Sequence, residues 1–197
     1  MFNPQGLSFR MMKETKEYFK NTYHHLYNRG ANKGTIFFEE GDYNYFLRRL
    51  VLYKNRYSIK ILAYCLMPNH FHLFAKQTSD TKTIGMFVGT LLNSYTKFIN
   101  VKYRKSGVLF QGPTKSKLID NEKYFIWLIK YILHNPKKAK LVRSPLEWKH
   151  SSYHEFYKNG NITDWEEIIE RFQSNEDFKN FIENENENFD YSYFKFR

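Results

Sequence analysis

An α+β fold, a mainly antiparallel sheet with helices packed on it, is predicted by three observations. Apolar runs that alternate with a period of two sit beside runs that repeat every three to four residues. Two of the alternating runs are parted only by a punctuation at Pro68 and Asn69, so adjacent strands are the natural reading. The remaining patterns place helices between strands, which favours helices laid on a sheet.

Residues 1 to about 20 form a polar, basic lead-in, and His24 through Gly30 reads as a short first strand ending in a turn. Residues 42–54 carry Tyr43, Phe46, Leu47, Leu50 and Tyr53 at helical spacing, with Arg48 and Arg49 turned outward. The run 58–66 is the second strand, and the run through His70 to Ala75 is the third. A second long helix extends from Ile84 to about Tyr103, through Phe87, Leu91, Leu92, Tyr95 and Phe98. It ends in Lys102, Arg104 and Lys105, before Gly107.

Residues 108–113 and 115–119 flank a Gly-Pro turn, as a further strand or an irregular hairpin with Lys115 and Lys117 exposed. Asp120 is the predicted N-cap of a third helix, with Glu122 in its first turn. That helix runs through Tyr124, Trp127, Leu128, Tyr131 and Ile132 to Asn135, where Pro136 ends or kinks it. The order strand, helix, strand, strand, helix, short strand, helix is that of a ferredoxin-like sandwich.

Charge divides the chain. Residues 161–197 hold 4 Lys and Arg against 10 Asp and Glu, and residues 1–160 hold 27 against 10. The division is 1–160 as the functional domain and 161–197 as an acidic tail with helical patterns near Trp165 to Phe172 and Asp177 to Ile182. The Glu-Asn repeat from Glu183 is expected to be flexible.

A net charge of +11 calls for a polyanionic partner, and 16 Tyr with 19 Phe supply rings that stack on unpaired bases, which together suggest single-stranded nucleic acid. A lone cysteine, Cys65, excludes a disulfide framework and is expected as a small core residue. Lacking a signal-peptide pattern or an apolar run of membrane length, the chain is expected to be cytoplasmic.

Chemistry-capable residues interrupt the apolar pattern at one place. In Met67-Pro68-Asn69-His70-Phe71-His72-Leu73, side chains two apart share a strand face. His70 and His72 therefore point one way, and Phe71, Leu73 and Ala75 point into the core. Two imidazoles so placed suit one divalent ion, although the spacing alone favours the plainer reading of a hydrogen-bonded His beside an exposed one. Tyr131 and Asn135 lie four apart on the third helix and so share a face. The set supplies two imidazoles, an amide oxygen and a phenol, and a phenol can attack a phosphate held at the open positions of an ion.

These residues carry a family resemblance. Leu66 through Leu73, Tyr27-Asn28-Arg29-Gly30, Leu109-Phe110-Gln111-Gly112 with Lys115-Ser116, Lys130 through Ala139, and Trp148 through Tyr153 occur in the order seen in HUH-type single-tyrosine transposases of insertion sequences. The likeness is nearest to the REP-associated tyrosine transposase branch and covers about residues 22 to 157. It implies a metal-dependent enzyme that nicks and rejoins single-stranded, hairpin-forming DNA through a 5′-phosphotyrosine. His70 and His72 would be metal ligands, Asn135 the third ligand and Tyr131 the nucleophile, with Mg²⁺ or Mn²⁺ as the ion.

Two departures stand out: the wider family often has Gln where Asn135 stands, and a basic residue where Pro113 stands. Arg29, Lys102, Arg104, Lys105, Lys115, Lys117, Lys137, Lys138 and Lys140 are the expected phosphate contacts. Tyr95 is an alternative nucleophile, and a homodimer is one state the resemblance allows. Two other functions stay open: a nonenzymatic nucleic-acid-binding regulator, and a metal-dependent nuclease that activates water.

Overall fold

The computed structural model describes residues 19–158 and 160–184. The basic lead-in up to residue 18 and the Glu-Asn repeat beyond Asn184 lie outside the described residues. The elements are β1 (Tyr23–Arg29), α1 (Glu40–Arg56), β2 (Ile59–Met67), β3 (His70–Gln77), α2 (Ile84–Lys102), β4 (Lys115–Ile119), α3 (Glu122–Lys138), α4 (Ser152–Tyr157), α5 (Glu166–Ile169) and α6 (Asn175–Glu183). The four strands form one sheet in the order β2-β3-β1-β4, every neighbour antiparallel, which is the predicted ferredoxin-like arrangement.

Both faces of this sheet are covered. Leu26, Ile61, Tyr64, Leu66, Phe71, Leu73 and Ala75 pack against α1 and α2 through Phe46, Leu50, Phe87, Leu91 and Tyr95. Leu62, Ala63, Cys65, Met67 and Phe74 face the other way, onto Phe125, Leu128, Ile129 and Ile132 of α3. A shift of register between Ile61 and Ala63 changes the phase of β2, so that Leu62 and Ala63 both serve the second core. The histidine face of β3 is therefore a second buried face, where the sequence predicts only one core side. Cys65 is buried as expected, and burial raises its thiol pKa.

Three local expectations change. The N-cap of α3 is Asn121, whose Oδ1 accepts from Tyr124 N at 3.0 Å, instead of Asp120. Pro136 neither ends nor breaks α3, which continues to Lys138. Proline removes the N–H that would reach Ile132 O, and Asn135 Nδ2 lies 2.8 Å from Tyr131 O and 3.4 Å from Ile132 O in its place. Segment 108–113 does not pair with β4; Phe110 bridges to Gly30, while β4 pairs with β1.

The acidic segment is built into the fold. Ile168, Phe172, Phe178, Phe181 and Ile182 are buried in the second core, and His134 of α3 hydrogen-bonds Ile182 O at 2.6 Å. Asp164 accepts from Ile61 N at 2.9 Å and pairs with the buried Lys54 at 3.2 Å. Upstream, Leu66 N donates to His150 O, Tyr64 N to Ser152 Oγ and Trp148 Nε1 to Leu66 O. The free edge of β2 is thereby covered by residues 148–152 and by Asp164.

Asp42 anchors the start of α1. Its carboxylate is fully buried, accepts from Phe38 N and Glu39 N, and meets Lys102 Nζ at 2.5 Å and Tyr103 Oη at 2.8 Å. Burial, the largest influence, works against ionisation; Lys102, the backbone donors and Tyr103 together outweigh it and lower the pKa below 3.8. A carboxyl whose folded pKa is depressed contributes stability above its unfolded pKa and loses it as pH falls through the folded value. The stability gap between the native chain and Asp42→Asn is thus expected to be full at neutral pH and to close on acidification below about pH 4, as followed by denaturant melts.

Candidate active site

Antiparallel register builds the site in rows across the sheet. His72 of β3 lies opposite Tyr27 of β1, which lies opposite Lys115 of β4; His70 lies opposite Arg29. These residues share the face covered by α3, and a cleft of about 530 Å³ opens beside it. Its lining includes Tyr27, Arg29, Lys33, Asn69, His70, His72, Gln111, Lys115, Tyr131 and Asn135. Two segments about sixty residues apart in sequence thus meet there, bringing His70 and His72 to the same cleft as Tyr131 and Asn135.

The loop after β1 closes one end. Gly30 is obligatory in it: a Cβ would stand 2.0 Å from Gly34 O. The tight turn carries Lys33 to the cleft rim, where its carbonyl accepts from Asn69 Nδ2 at 3.3 Å. The other end is shaped by Asn28, which donates to Gly112 O at 3.1 Å, and by Arg29 Nε, which donates to Gln111 Oε1 at 2.5 Å.

At the centre, the rings of His70 and His72 stand 5.2 Å apart at 89°. His70 Nδ1 meets Asn69 Oδ1 at 2.7 Å, and His72 Nδ1 meets His25 Nε2 at 2.9 Å. In both rings Nδ1 is engaged, which leaves the outer nitrogen, Nε2, for a ligand. Burial lowers the pKa of both imidazoles; His72, pressed further by His25 and His70, falls to about 2. Neutral rings are the form that binds metal.

Tyr131 stands edge-on to His72, with centroids 5.6 Å apart at 86°, and stacks on Trp127 at 4.9 Å. Burial chiefly raises its phenol above the ordinary value of 10, with smaller contributions from Tyr124 and Tyr27. Lys138 Nζ lies 5.7 Å from the ring centroid. One turn further on, Asn135 has its nitrogen committed to its own helix, so its oxygen is the end left for a ligand role.

The donor set fits a divalent ion. Two imidazoles sharing an ion at about 2.1 Å from each nitrogen have ring centres roughly 5 Å apart, close to the observed separation. Among the described residues no group of three or more His, Cys, Asp and Glu could hold an ion; the Asn135 amide lines the same cleft as the two histidines.

The predicted basic residues separate into groups. Arg29 and Lys115 line the cleft, Lys117 Nζ sits 4.0 Å over the Tyr124 ring, and Lys137 and Lys138 occupy the last turn of α3. Lys140 follows that helix in the left-handed conformation. Lys102 pairs with Asp42 and Glu39, Lys105 lies 4.0 Å over Phe38, and neither they nor Arg104 line the cleft. Tyr95 is excluded as nucleophile: it is fully buried on the α1 and α2 side and donates to Ile36 O at 2.7 Å.

Sequence reasoning missed His25, Asn69, Gln111 and Lys33 as site residues. The signal for His25 is its alternation with Leu26 and its separation by two from Tyr27, which becomes informative once β1 is known to pair with β3.

A central histidine pair facing a helix-borne tyrosine on this sheet is the arrangement that the resemblance to HUH-type single-tyrosine transposases implies. The model of the family described as "Transposase IS200 like" matches residues 17–135, and the chain belongs to that family. A Haemophilus influenzae protein assigned as a REP-associated tyrosine transposase is 26% identical over 108 residues, which are 50% of this chain and 61% of that protein's length. A REP-associated tyrosine transposase solved bound to a REP hairpin is 18% identical; the match covers 78% of this chain and 94% of that one with a TM-score of 0.63, and shows a shared fold.

Proposed function

We propose that the chain is a metal-dependent enzyme that cuts and rejoins single-stranded, hairpin-forming DNA through a covalent link to Tyr131. The observation that carries this reading is the edge-on approach of the Tyr131 ring to His72 within a cleft rimmed by Arg29, Lys33 and Lys115. Family membership supports the reaction class, and the hairpin bound to the structural relative supports the substrate.

His70, His72 and the oxygen of Asn135 would hold Mg²⁺ or Mn²⁺. The bound ion supplies Lewis acidity toward a phosphate oxygen and charge to favour the phenolate. Arg29, Lys33 and Lys115 hold the flanking phosphates by charge-assisted hydrogen bonds. The Tyr131 oxygen attacks the scissile phosphorus and loses its proton to water in the cleft. The bond from phosphorus to the 3′ oxygen breaks, and that oxygen takes up a proton to become a free hydroxyl. A 5′-phosphotyrosine retains the phosphodiester, so a 3′-hydroxyl reverses the step with no external energy source.

The test is incubation with labelled single-stranded hairpin DNA, with Mn²⁺ or with chelator, followed by denaturing electrophoresis. Label is expected to move onto protein only with Mn²⁺, and His72→Ala is expected to abolish the shift. Hairpin binding with no adduct under any metal would make the chain a binding protein.

A further inference from the structure

We infer that His25 is a positioning residue: its Nε2 accepts the Nδ1–H of His72 and so fixes His72 in the tautomer whose bare Nε2 is available to the cleft. The inference rests on the ligand role assigned above to His72. His70 provides the internal standard. Its Nδ1 meets the amide oxygen of Asn69, and that amide is oriented by the donation from its nitrogen to Lys33 O. An amide oxygen only accepts, so His70 carries its hydrogen on Nδ1 and is bare at Nε2.

His72 has no such unambiguous partner. A neutral imidazole both donates and accepts, and the hydrogen between the two rings belongs to one of them. Both rings are buried, His25 at 6% exposure and His72 at 6%. The two nitrogens stand 2.9 Å apart, a hydrogen-bond distance, so one hydrogen lies between them. Were it on His25, His72 would present an N–H to the cleft and could not ligate. With it on His72, both cleft histidines share one tautomer.

The partner is held by secondary structure. His25 lies on β1 two residues from Tyr27, the register partner of His72, and its ring stacks against His72 at 5.1 Å and 25°. Tyr131 meets the same ring edge-on at 6.2 Å. The two central strands thus set the orientation of a ligand, as outer-shell partners of metal-binding histidines do.

Two-bond ¹H–¹⁵N spectra of the labelled protein without metal distinguish protonated from bare ring nitrogens. His72 is expected to be protonated at Nδ1 in the native chain and in His25→Gln, whose amide oxygen can accept. In His25→Phe it should shift to the other tautomer or a mixture, while His70 stays unchanged and reports that the sheet is intact. Mn²⁺ affinity, from the paramagnetic resonance of free Mn²⁺, is expected to fall roughly 10- to 100-fold in His25→Phe and to recover in His25→Gln.

An Nε2-protonated His72 in the native chain overturns the inference without any variant. So does a His72 tautomer that ignores position 25. If the native chain binds no Mn²⁺ while the tautomer follows position 25, the metal reading falls and the positioning role stands.

Discussion

Replacing Tyr131 by Phe is expected to remove the protein–DNA adduct and slow strand cleavage by roughly 10⁴-fold or more, the scale on which loss of a nucleophile acts. Only one oxygen is deleted. The ring keeps its stack on Trp127 and its edge contacts to His25 and His72, so the variant should fold, and hairpin binding should persist on the unaltered cationic rim. Adduct formation and cleavage are read from one denaturing gel, and binding from a mobility shift. An undiminished adduct would move the nucleophile to Tyr27, the other tyrosine lining this cleft. Cleavage without adduct would replace the phenol by an activated water.

The second large effect concerns the acidic segment. Phe178 of α6 is fully buried, with its ring against Phe156, Trp165, Phe172 and Tyr153. Truncation to Ala leaves a cavity that costs about 3 to 5 kcal/mol, or ~6 to 20 °C in Tm for a chain of this size. Thermal unfolding is the measurement. A Tm unchanged from the native chain would mean that α6 is not held in the second core. The charge contrast across residue 160 is visible in composition and marks no structural break, because Asp164 and Glu167 pair with Lys54 and Lys76 of the basic part while the apolar side of α6 is core.

That case shows what was legible. Periodicity located the three long helices, the β2–β3 hairpin and the common face of His70 and His72, since each depends on neighbours within a few residues. The placement of Tyr131 one turn from Asn135 followed from the same arithmetic. Pairings between distant segments were illegible: β4 joins β1 across nearly ninety residues, and no local pattern fixes that register. His25 was hidden for the same reason, its role depending on which strand lies beside it. Lys102 looked like a free cation at a helix end, because Asp42 is sixty residues away in sequence and adjacent in space. The position of Pro136 misled in another way, as its usual penalty is offset by the side chain just before it.

That last arrangement links two positions whose substitutions will not add. Asn135 mends the ladder opened by its proline neighbour with its nitrogen and offers its oxygen to the cleft. A glutamine, one methylene longer, would seat both ends of the amide differently, so the shorter residue suits a helix that carries proline here. Were Pro136 an ordinary residue, the backbone would close its own bond to Ile132 and the amide would be released to rotate. Substituting both residues should therefore cost other than the sum of the two single changes, because the pair shares the carbonyls of Tyr131 and Ile132.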